Sequence, residues 1–193
     1  MSVFLEVLVS VLLIFGGSVT SCIPTQQIDD DTTTTTTTSS TPTCPSGWTT
    51  FYRTDYIWCM KVYFISLGSF SQAQSACKSQ NSAAVPSGFQ DLNEVYTMMT
   101  IASTGPSNKQ LFIGAIRTQA CIDQYLTATC NKLTSFEWTD KHTTGTAGFH
   151  WYTSYPDNEN LDENWAIINT SSADMDDVGA GVRAGVICGM EAV

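Results

Sequence analysis

Seven carboxylates lie within residues 155–177, and no lysine or arginine occurs between Lys141 and Arg183. The seven are Asp157, Glu159, Asp162, Glu163, Asp174, Asp176 and Asp177. Carboxylates this close together raise one another's pKa unless a positive charge lies among them, and a hard cation such as Ca²⁺ takes oxygen ligands of this kind. Because acidic surface loops are far commoner than calcium sites, the residues alone favour a solvated loop.

Hydrolysis is a second chemistry that the sequence has to be tested for. His142 and His150 are potential general bases, and Glu159 with Glu163 is a potential glycosidase pair. However, the chain contains neither a Gly-x-Ser-x-Gly elbow nor an HExxH helix, and nothing marks either glutamate as an acid in an apolar pocket. We therefore predict that the protein is not an enzyme.

Length and charge limit the remaining classes. The chain has 193 residues, of which 42% are hydrophobic, which is enough for one core plus appendages. Its net charge is −10, and it has only eight lysines and arginines. Since phosphate binding requires clustered basic residues, we expect no nucleic-acid partner.

The first 43 residues predict an exported protein. Residues 7–15 form a short apolar run followed by small residues, as in a signal peptide (residues 1–21) cleaved before Cys22, although Glu6 is unusual there and no basic side chain precedes the run. Residues 22–43 are rich in threonine and serine, as in an O-glycosylated stalk or a plain spacer. We expect the folded domain to span residues 44–193, to be secreted and extracellular, and to have no membrane contact after cleavage.

Seven cysteines in an exported chain predict a disulfide framework, and six of them lie within the expected domain. Fifteen pairings of six cysteines are possible. Proximity in sequence favours Cys44 with Cys59 and Cys121 with Cys130, which leaves Cys77 with Cys188. Zinc is the alternative partner of clustered cysteines, but the chain has no CxxC pair and only two histidines. Cys22 is unpaired in this scheme and, if retained, is a candidate for an intermolecular bridge in a dimer.

Hydrophobic patterns predict an α+β domain. Ser69 or Ser71 can cap a helix that ends near Gln80, and an apolar stripe with acids in its first turn predicts a second helix over residues 90–103. The other apolar segments are strand-sized: residues 49–52, 59–65, 111–116, 136–138, 165–168 and 186–190. We expect two helices and small antiparallel sheets, with long loops in the C-terminal half.

The order of these signals resembles the C-type lectin-like domain. It runs through Cys-Pro-x-Gly-Trp at residues 44–48, a cysteine before an aromatic strand, an Ala-x-x-x-Cys helix, Phe-Ile-Gly at 112–114, a Pro-Asp turn, Glu-Asn before a strand, and a terminal Ile-Cys. Residues 111–115, Leu-Phe-Ile-Gly-Ala, are similar to the family's WIGL core strand. The resemblance covers Cys44 to about Met190, and it implies the C-type lectin-like fold with a long loop region and an extracellular recognition role.

The resemblance also implies a calcium and sugar site. The family's Glu-Pro-Asn or Gln-Pro-Asp tripeptide corresponds to residues 155–157, and its Trp-Asn-Asp corresponds to residues 175–177. The implied metal ligands are Asp157, Glu163, Asp176 and Asp177, and the implied ligand-binding residues are Tyr155, Asp157, Glu163 and Asp176. Tyr155 replaces the family's first ligand, and a phenol is a poor Ca²⁺ ligand. The family's proline is cis when calcium is bound, and the Tyr155–Pro156 peptide can be cis as well.

Two functions follow from the resemblance. The first is carbohydrate binding assisted by Ca²⁺ in the acidic loop; the alternative is a calcium- and sugar-independent protein-binding domain. The family's loop disulfide is absent, because Trp165 and Gly179 or Ala180 stand where its cysteines are expected. With either function, the expected partner is a glycan or an extracellular protein.

Asn169 begins an Asn-Thr-Ser sequon, so we expect it to be glycosylated in an exported chain.

Overall fold

A computed structural model describes residues 41–106 and 109–193. The expected signal peptide and nearly all of the expected stalk, including Cys22, lie outside these residues. The described chain contains two α-helices, α1 (Phe70–Gln80) and α2 (Leu92–Ala102), and short 3-10 turns at Gln119–Cys121 and Glu159–Leu161. Its strands are β1 (Thr49–Tyr52), β2 (Ile57–Leu67), β3 (Val85–Pro86), β4 (Gln110–Arg117), β5 (Phe136–Trp138), β6 (Trp165–Asn169), β7 (Met175–Val178) and β8 (Ala184–Glu191). None of the helices in this part of the chain is both long enough and apolar enough to span a membrane.

Side-chain caps set the start of both helices. The Ser69 hydroxyl accepts a hydrogen bond from the Gln72 N–H at the start of α1, and the Asp91 carboxylate accepts one from the Glu94 N–H at the start of α2. Each cap satisfies a backbone donor that has no partner within the helix. Glu94, in the first turn of α2, is buried and forms an ion pair of 2.7 Å with Arg53. The start of α2 is therefore fixed to the turn between β1 and β2.

The strands form one mixed sheet with the order β1-β2-β8-β4-β6-β7, while β3 pairs with β8 and β5 with β4. Its pairs are antiparallel except β4 and β8, which run parallel with Phe112 opposite Val186. This parallel contact joins two halves of the domain in one mixed sheet, where the sequence predicts small antiparallel sheets. The α+β architecture expected from the sequence is confirmed.

Both faces of the sheet are covered. On one side α2 packs on the sheet through Val95, Met98 and Met99, and on the other α1 packs through Phe70, Ala73 and Cys77. At Gly114 in the middle of β4 the chain passes so close to β3 that an added Cβ would lie 2.2 Å from the Pro86 carbonyl oxygen. The glycine of the Phe-Ile-Gly sequence in β4 is therefore required by this close packing.

Three disulfides lie in the described residues, and they join the two pairs that proximity in sequence favours and the third pair that this choice leaves. Cys44 pairs with Cys59, Cys77 with Cys188 and Cys121 with Cys130. The second bridge connects α1 to β8 and encloses 111 residues, which is most of the domain. The third encloses only nine residues, in the loop after β4.

Candidate metal and ligand site

The acidic site lies where the end of β4, the loop before β6 and strand β7 meet. Arg117 is the last residue of β4, and β7 lies beside β6 at the edge of the sheet, with Trp165 opposite Val178. The Tyr155–Pro156 peptide is cis. Beyond it Asn158 adopts a left-handed conformation, with φ of 55°, which asparagine tolerates better than most residues. The loop thereby turns back over the carboxylate of Asp177.

Asp177 is the buried centre of this site. Its Oδ1 accepts a hydrogen bond of 3.0 Å from the Asp157 N–H, and its Oδ2 accepts one of 2.8 Å from the Asn158 N–H. The guanidinium of Arg117 forms an ion pair with the same Oδ2, and only 2% of the Arg117 side chain and none of the Asp177 side chain is exposed. Asp177 therefore fixes the backbone of the loop as well as being an implied metal ligand.

Arg117 also holds the far end of the loop. Its Nε donates a hydrogen bond of 2.8 Å to the Glu163 carbonyl, and its backbone N–H donates one of 3.0 Å to the Asn164 carbonyl. The guanidinium lies 4.8 Å from the centre of the Phe136 ring. Arg117 thus connects β4 to β7 and to the acidic loop.

Asn158 braces the loop from the opposite side. Its Nδ2 donates to the Ile122 and Gln124 carbonyls, and its Oδ1 accepts from the Glu163 N–H. Asn158 is fully buried, and these contacts satisfy its amide. The loop closed by the Cys121–Cys130 disulfide therefore supports the acidic loop directly.

Three of the four implied metal ligands come together. Asp157, Glu163 and Asp177 each offer an oxygen, and these oxygens lie within 4.8 Å of one another. Oxygens that surround one Ca²⁺ at 2.3–2.6 Å have separations of this size. Asp176 is not part of this closest group, because successive side chains of a strand such as β7 point to opposite faces.

Two buried oxygens, one just before β6 and one in β7, have no donor. Asp176 Oδ1 and Asn164 Oδ1 are buried and have no hydrogen-bond partner among the described residues. Burying an acceptor without a donor is unfavourable. The donor set of carboxylate and amide oxygens, with one guanidinium against several carboxylates, fits a hard divalent cation.

Comparison with known proteins places the chain in a family. Residues 45–190 match the family model described as C-type lectin domain-containing protein 141/158. The chain belongs to this family of C-type lectin domains. No curated protein matches it. The resemblance drawn from the sequence is therefore confirmed, and C-type lectin domains are typically binding modules without enzymatic activity.

Solved structures share this C-type lectin fold at low identity. The C-type lectin CEL-I from Cucumaria echinata has a TM-score of 0.56 at 19% identity, over 76% of this chain and 96% of that one. The C-type carbohydrate-recognition domain of cow CD23, solved in the presence of GlcNAc2Man3 oligosaccharide, has a TM-score of 0.58 at 18% identity, over 79% and 99%. A calcium-independent type II antifreeze protein has a TM-score of 0.56 at 18% identity, over 80% and 99%.

Burial changes the acidity of the site in this C-type lectin domain. It raises the pKa of Glu163 to about 8, and the nearby charges of Asp177 and Asp157 act in the same direction. Burial followed by the charge of Asp177 raises the pKa of Asp176 to about 7. The pKa of Asp177 is raised by burial and held back by hydrogen bonds and Arg117. Without a cation, the site is therefore partly protonated at neutral pH.

The aromatic residues near the lectin site divide into two groups. Trp151 is stacked on Phe149 and contacts Phe136, and its Nε1 donates to the Lys132 carbonyl, so it belongs to the core. Tyr152 is exposed, and its ring lies 5.9 Å from that of the half-buried Tyr155. These two tyrosines line a cavity together with Asp176.

Sequence reasoning missed Arg117 and Asn158. Arg117 is one of only eight basic residues in the chain, but it is 60 residues from Asp177, and no local pattern connects them. Asn158 directly follows the Pro-Asp turn, where an asparagine in the left-handed conformation is a recognisable signal. The acidic cluster was visible in the sequence because its members are close along the chain.

Proposed function

We propose that this C-type lectin domain is an extracellular recognition module that binds carbohydrate with the help of Ca²⁺. One observation carries the proposal: oxygens of Asp157, Glu163 and Asp177 converge within 4.8 Å, and among the described residues only Asp177 has a counter-charge, the guanidinium of Arg117. A site with this excess of negative charge is most stable with a further cation. The cow relative solved with an oligosaccharide is consistent with a glycan ligand.

The residues that would hold the ion are Asp157, Glu163 and Asp177, while Asp176, the fourth implied ligand, lies outside this closest group. When bound, Ca²⁺ supplies coordination positions for vicinal hydroxyl oxygens of a sugar. The carboxylates of Asp157 and Glu163 are half-buried, so they can also accept hydrogen bonds from those hydroxyls. Tyr155 lies beside them and would contact the sugar ring instead of the metal.

Calorimetric titration of the full chain with Ca²⁺ tests the metal site. We expect saturable binding that is lost in Glu163→Gln, which removes one carboxylate with little change in shape. Asp162→Asn is the matched control, because Asp162 is an exposed acid of the same loop outside the closest group. The absence of saturable heat at millimolar Ca²⁺ would remove the metal from this proposal.

A glycan array with and without chelator tests the sugar. We expect binding in Ca²⁺ that disappears in chelator and in Glu163→Gln. Binding of an extracellular protein in chelator, with no glycan bound under either condition, would instead support the protein-binding alternative.

Secretion belongs to the same proposal. The apolar leader, the threonine-rich segment and three disulfides in the described residues all suit an oxidising compartment. Asn169 ends β6, and its Oδ1 accepts hydrogen bonds from the N–H and hydroxyl of Ser171. After expression in a secretory cell line, the protein should be found in the culture medium, and its electrophoretic mobility should change when N-glycans are removed. Asn169→Gln should abolish that change. A dimer band that disappears on reduction would show a bridge through Cys22.

A further inference from the structure

A bulge in β2 forms one wall of a cavity of about 350 Å³ beside the parallel strands β4 and β8. Tyr63 pairs with Val186 and Leu67 with Ala184, so β2 advances four residues while β8 advances two. Residues 64–66, which lie between the two pairs, have no partner in β8, and they line the cavity. Bulges of this kind re-aim side chains and are frequent next to functional sites. The bulge therefore builds a concave surface into the middle of the sheet.

Two of the eight lysines and arginines of the protein line this cavity, namely Lys109 and Arg183. They are distant in sequence, but the parallel pairing of Leu111 with Gly185 puts both at the same register position of neighbouring strands, which lie about 4.8 Å apart. No carboxylate lines the cavity, and neither side chain forms an ion pair with any described residue. In a chain with a net charge of −10, the fold thus brings two cations together without a counter-charge.

The surroundings of Arg183 add to this positive charge. Its guanidinium packs so closely on Gly68 that a Cβ added there would lie 2.6 Å from Nη1. Gly68 directly precedes Ser69, the N-cap of α1, and the first turn of that helix carries no acidic residue. Because the N-terminal end of a helix is electropositive, a cation beside it is unfavourable unless an anion lies nearby. The described part of the chain supplies no carboxylate that pairs with Arg183 to offset this cost.

The donors around the cavity indicate the class of anion that fits. Arg183 offers a planar fork of N–H groups and Lys109 an ammonium, while the Ser66 hydroxyl and the Gln110 amide lie in the walls formed by β2 and β4. A carboxylate has two oxygens in one plane, whereas a sulfate or phosphate group directs three or four oxygens to different sides. The cavity is larger than such an ion, and its apolar wall at Phe64 leaves room for the organic part of an ester.

We propose that this cavity is a binding site for a sulfate or phosphate ester, which is held by Arg183 and Lys109. The backbone that carries Lys109 is fixed, because its N–H donates a hydrogen bond of 3.1 Å to Thr170 Oγ1 and its carbonyl accepts one of 2.9 Å from the Thr170 N–H. No residue of the cavity belongs to the cluster of Asp157, Glu163 and Asp177, so the site binds its anion without Ca²⁺.

NMR titration of the ¹⁵N-labelled, unglycosylated full chain with four related sugars tests the proposal. Glucose 6-sulfate, glucose 6-phosphate, glucuronate and glucose differ only at carbon 6. Without Ca²⁺, at constant ionic strength and in a buffer free of oxyanions, we expect saturable amide shifts at residues 64–66 and 183–185 with at least one of the two esters. Glucuronate should bind at least about threefold more weakly than that ester, and glucose should not bind. The ester that binds more tightly identifies the group. Equal affinity for glucuronate, or shifts that do not saturate, would overturn the proposal.

Three variants locate the binding. Arg183→Gln and Lys109→Gln should each weaken binding of the tighter ester by about fivefold. Lys78→Gln removes the same charge from an exposed position outside the cavity and should leave the affinity unchanged. Equal losses in Lys109→Gln and Lys78→Gln would show non-specific attraction to positive charge and would contradict the site. Because no Ca²⁺ is present, failure of the calcium site leaves this result unaffected, and thermal unfolding of each variant shows that it is folded.

Discussion

The guanidinium of Arg117 and the carboxylate of Asp177 form an ion pair inside the domain, directly beneath the acidic loop. The pair joins the end of β4 to β7, and both partners also hydrogen-bond the loop backbone, Arg117 at Glu163 and Asp177 at Asp157. Part of the positive charge that the carboxylates need is therefore supplied by the protein. This arrangement keeps the loop assembled before any metal binds.

We expect Arg117→Gln to destabilise the domain by about 3–5 kcal/mol in chelator, because it leaves the buried Asp177 carboxylate without a counter-charge. Saturating Ca²⁺ should restore part of this loss, since the ion would lie against the same carboxylate. Urea unfolding with and without Ca²⁺ measures both effects. Arg183→Gln removes an exposed arginine and is the control.

A second variant separates the ion pair from packing of the arginine side chain. Arg117→Gln with Asp177→Asn removes both charges, and it should be more stable in chelator than Arg117→Gln alone. If the double variant lost the sum of the two single losses, the ion pair would contribute nothing to stability.

The sequence predicted the local elements of this domain well. The structure begins α1 after Ser69 and ends it at Gln80, as the cap and the apolar spacing predict, and β5 has the predicted bounds. Helix α2 begins at Leu92 instead of residue 90 because Asp91 is its N-cap, and it ends at Ala102 with Ser103 as its C-cap. These features depend on neighbours in sequence, so local patterns were sufficient to find them.

The sequence did not predict the long-range features. Strand β7 contains Asp176 and Asp177 and has the composition of an acidic loop; it is a strand because it pairs with β6 and because Arg117 neutralises Asp177. The parallel pairing of β4 with β8 joins residues more than 70 positions apart. Local sequence patterns do not show which distant segments pair. Only the structure therefore shows that β7 forms the edge of the sheet and that Arg117 is the counter-charge of Asp177.

Stability should fall with increasing pH when no metal is present. The pKa of Glu163 rises from 4.5 to about 8 and that of Asp176 from 3.8 to about 7, so between these values the folded state holds more protons than the unfolded state. The free energy of unfolding then decreases as pH rises from about 5 to about 8. Thermal unfolding in chelator over this range measures the effect.

Glu163→Gln is the control for this pH dependence, because it removes the group with the higher pKa and should flatten the curve at its upper end. Saturating Ca²⁺ should reverse the trend, because the metal requires deprotonated carboxylates and its affinity rises with pH. Stability in chelator that rose between pH 5 and pH 8 would contradict the assignment of raised pKa values to this site.

Gly114→Ala should severely destabilise the domain. The added methyl group would lie 2.2 Å from the Pro86 carbonyl oxygen, which is backbone of β3 and cannot move aside without breaking the hydrogen bond from the Gly114 N–H to the Ser87 carbonyl. We expect a loss of at least about 3 kcal/mol, as for severe overpacking. Gly145→Ala, at a left-handed residue with open space around it, should cost about 1 kcal/mol. Similar losses in the two variants, measured by urea unfolding, would show that the close packing of β3 on β4 can relax.

The disulfides should differ in what their removal affects. Replacing Cys77 and Cys188 with alanine opens a closure of 111 residues and should cost about 4–5 kcal/mol. Replacing Cys121 and Cys130 opens nine residues and should cost less, but it frees the loop whose Ile122 and Gln124 carbonyls hold Asn158. We therefore expect the second variant to lose about 2–3 kcal/mol of stability in urea and also to bind Ca²⁺ about tenfold more weakly. Unchanged Ca²⁺ affinity in that variant would show that Arg117 and Asp177 position the acidic loop without support from the Cys121–Cys130 loop.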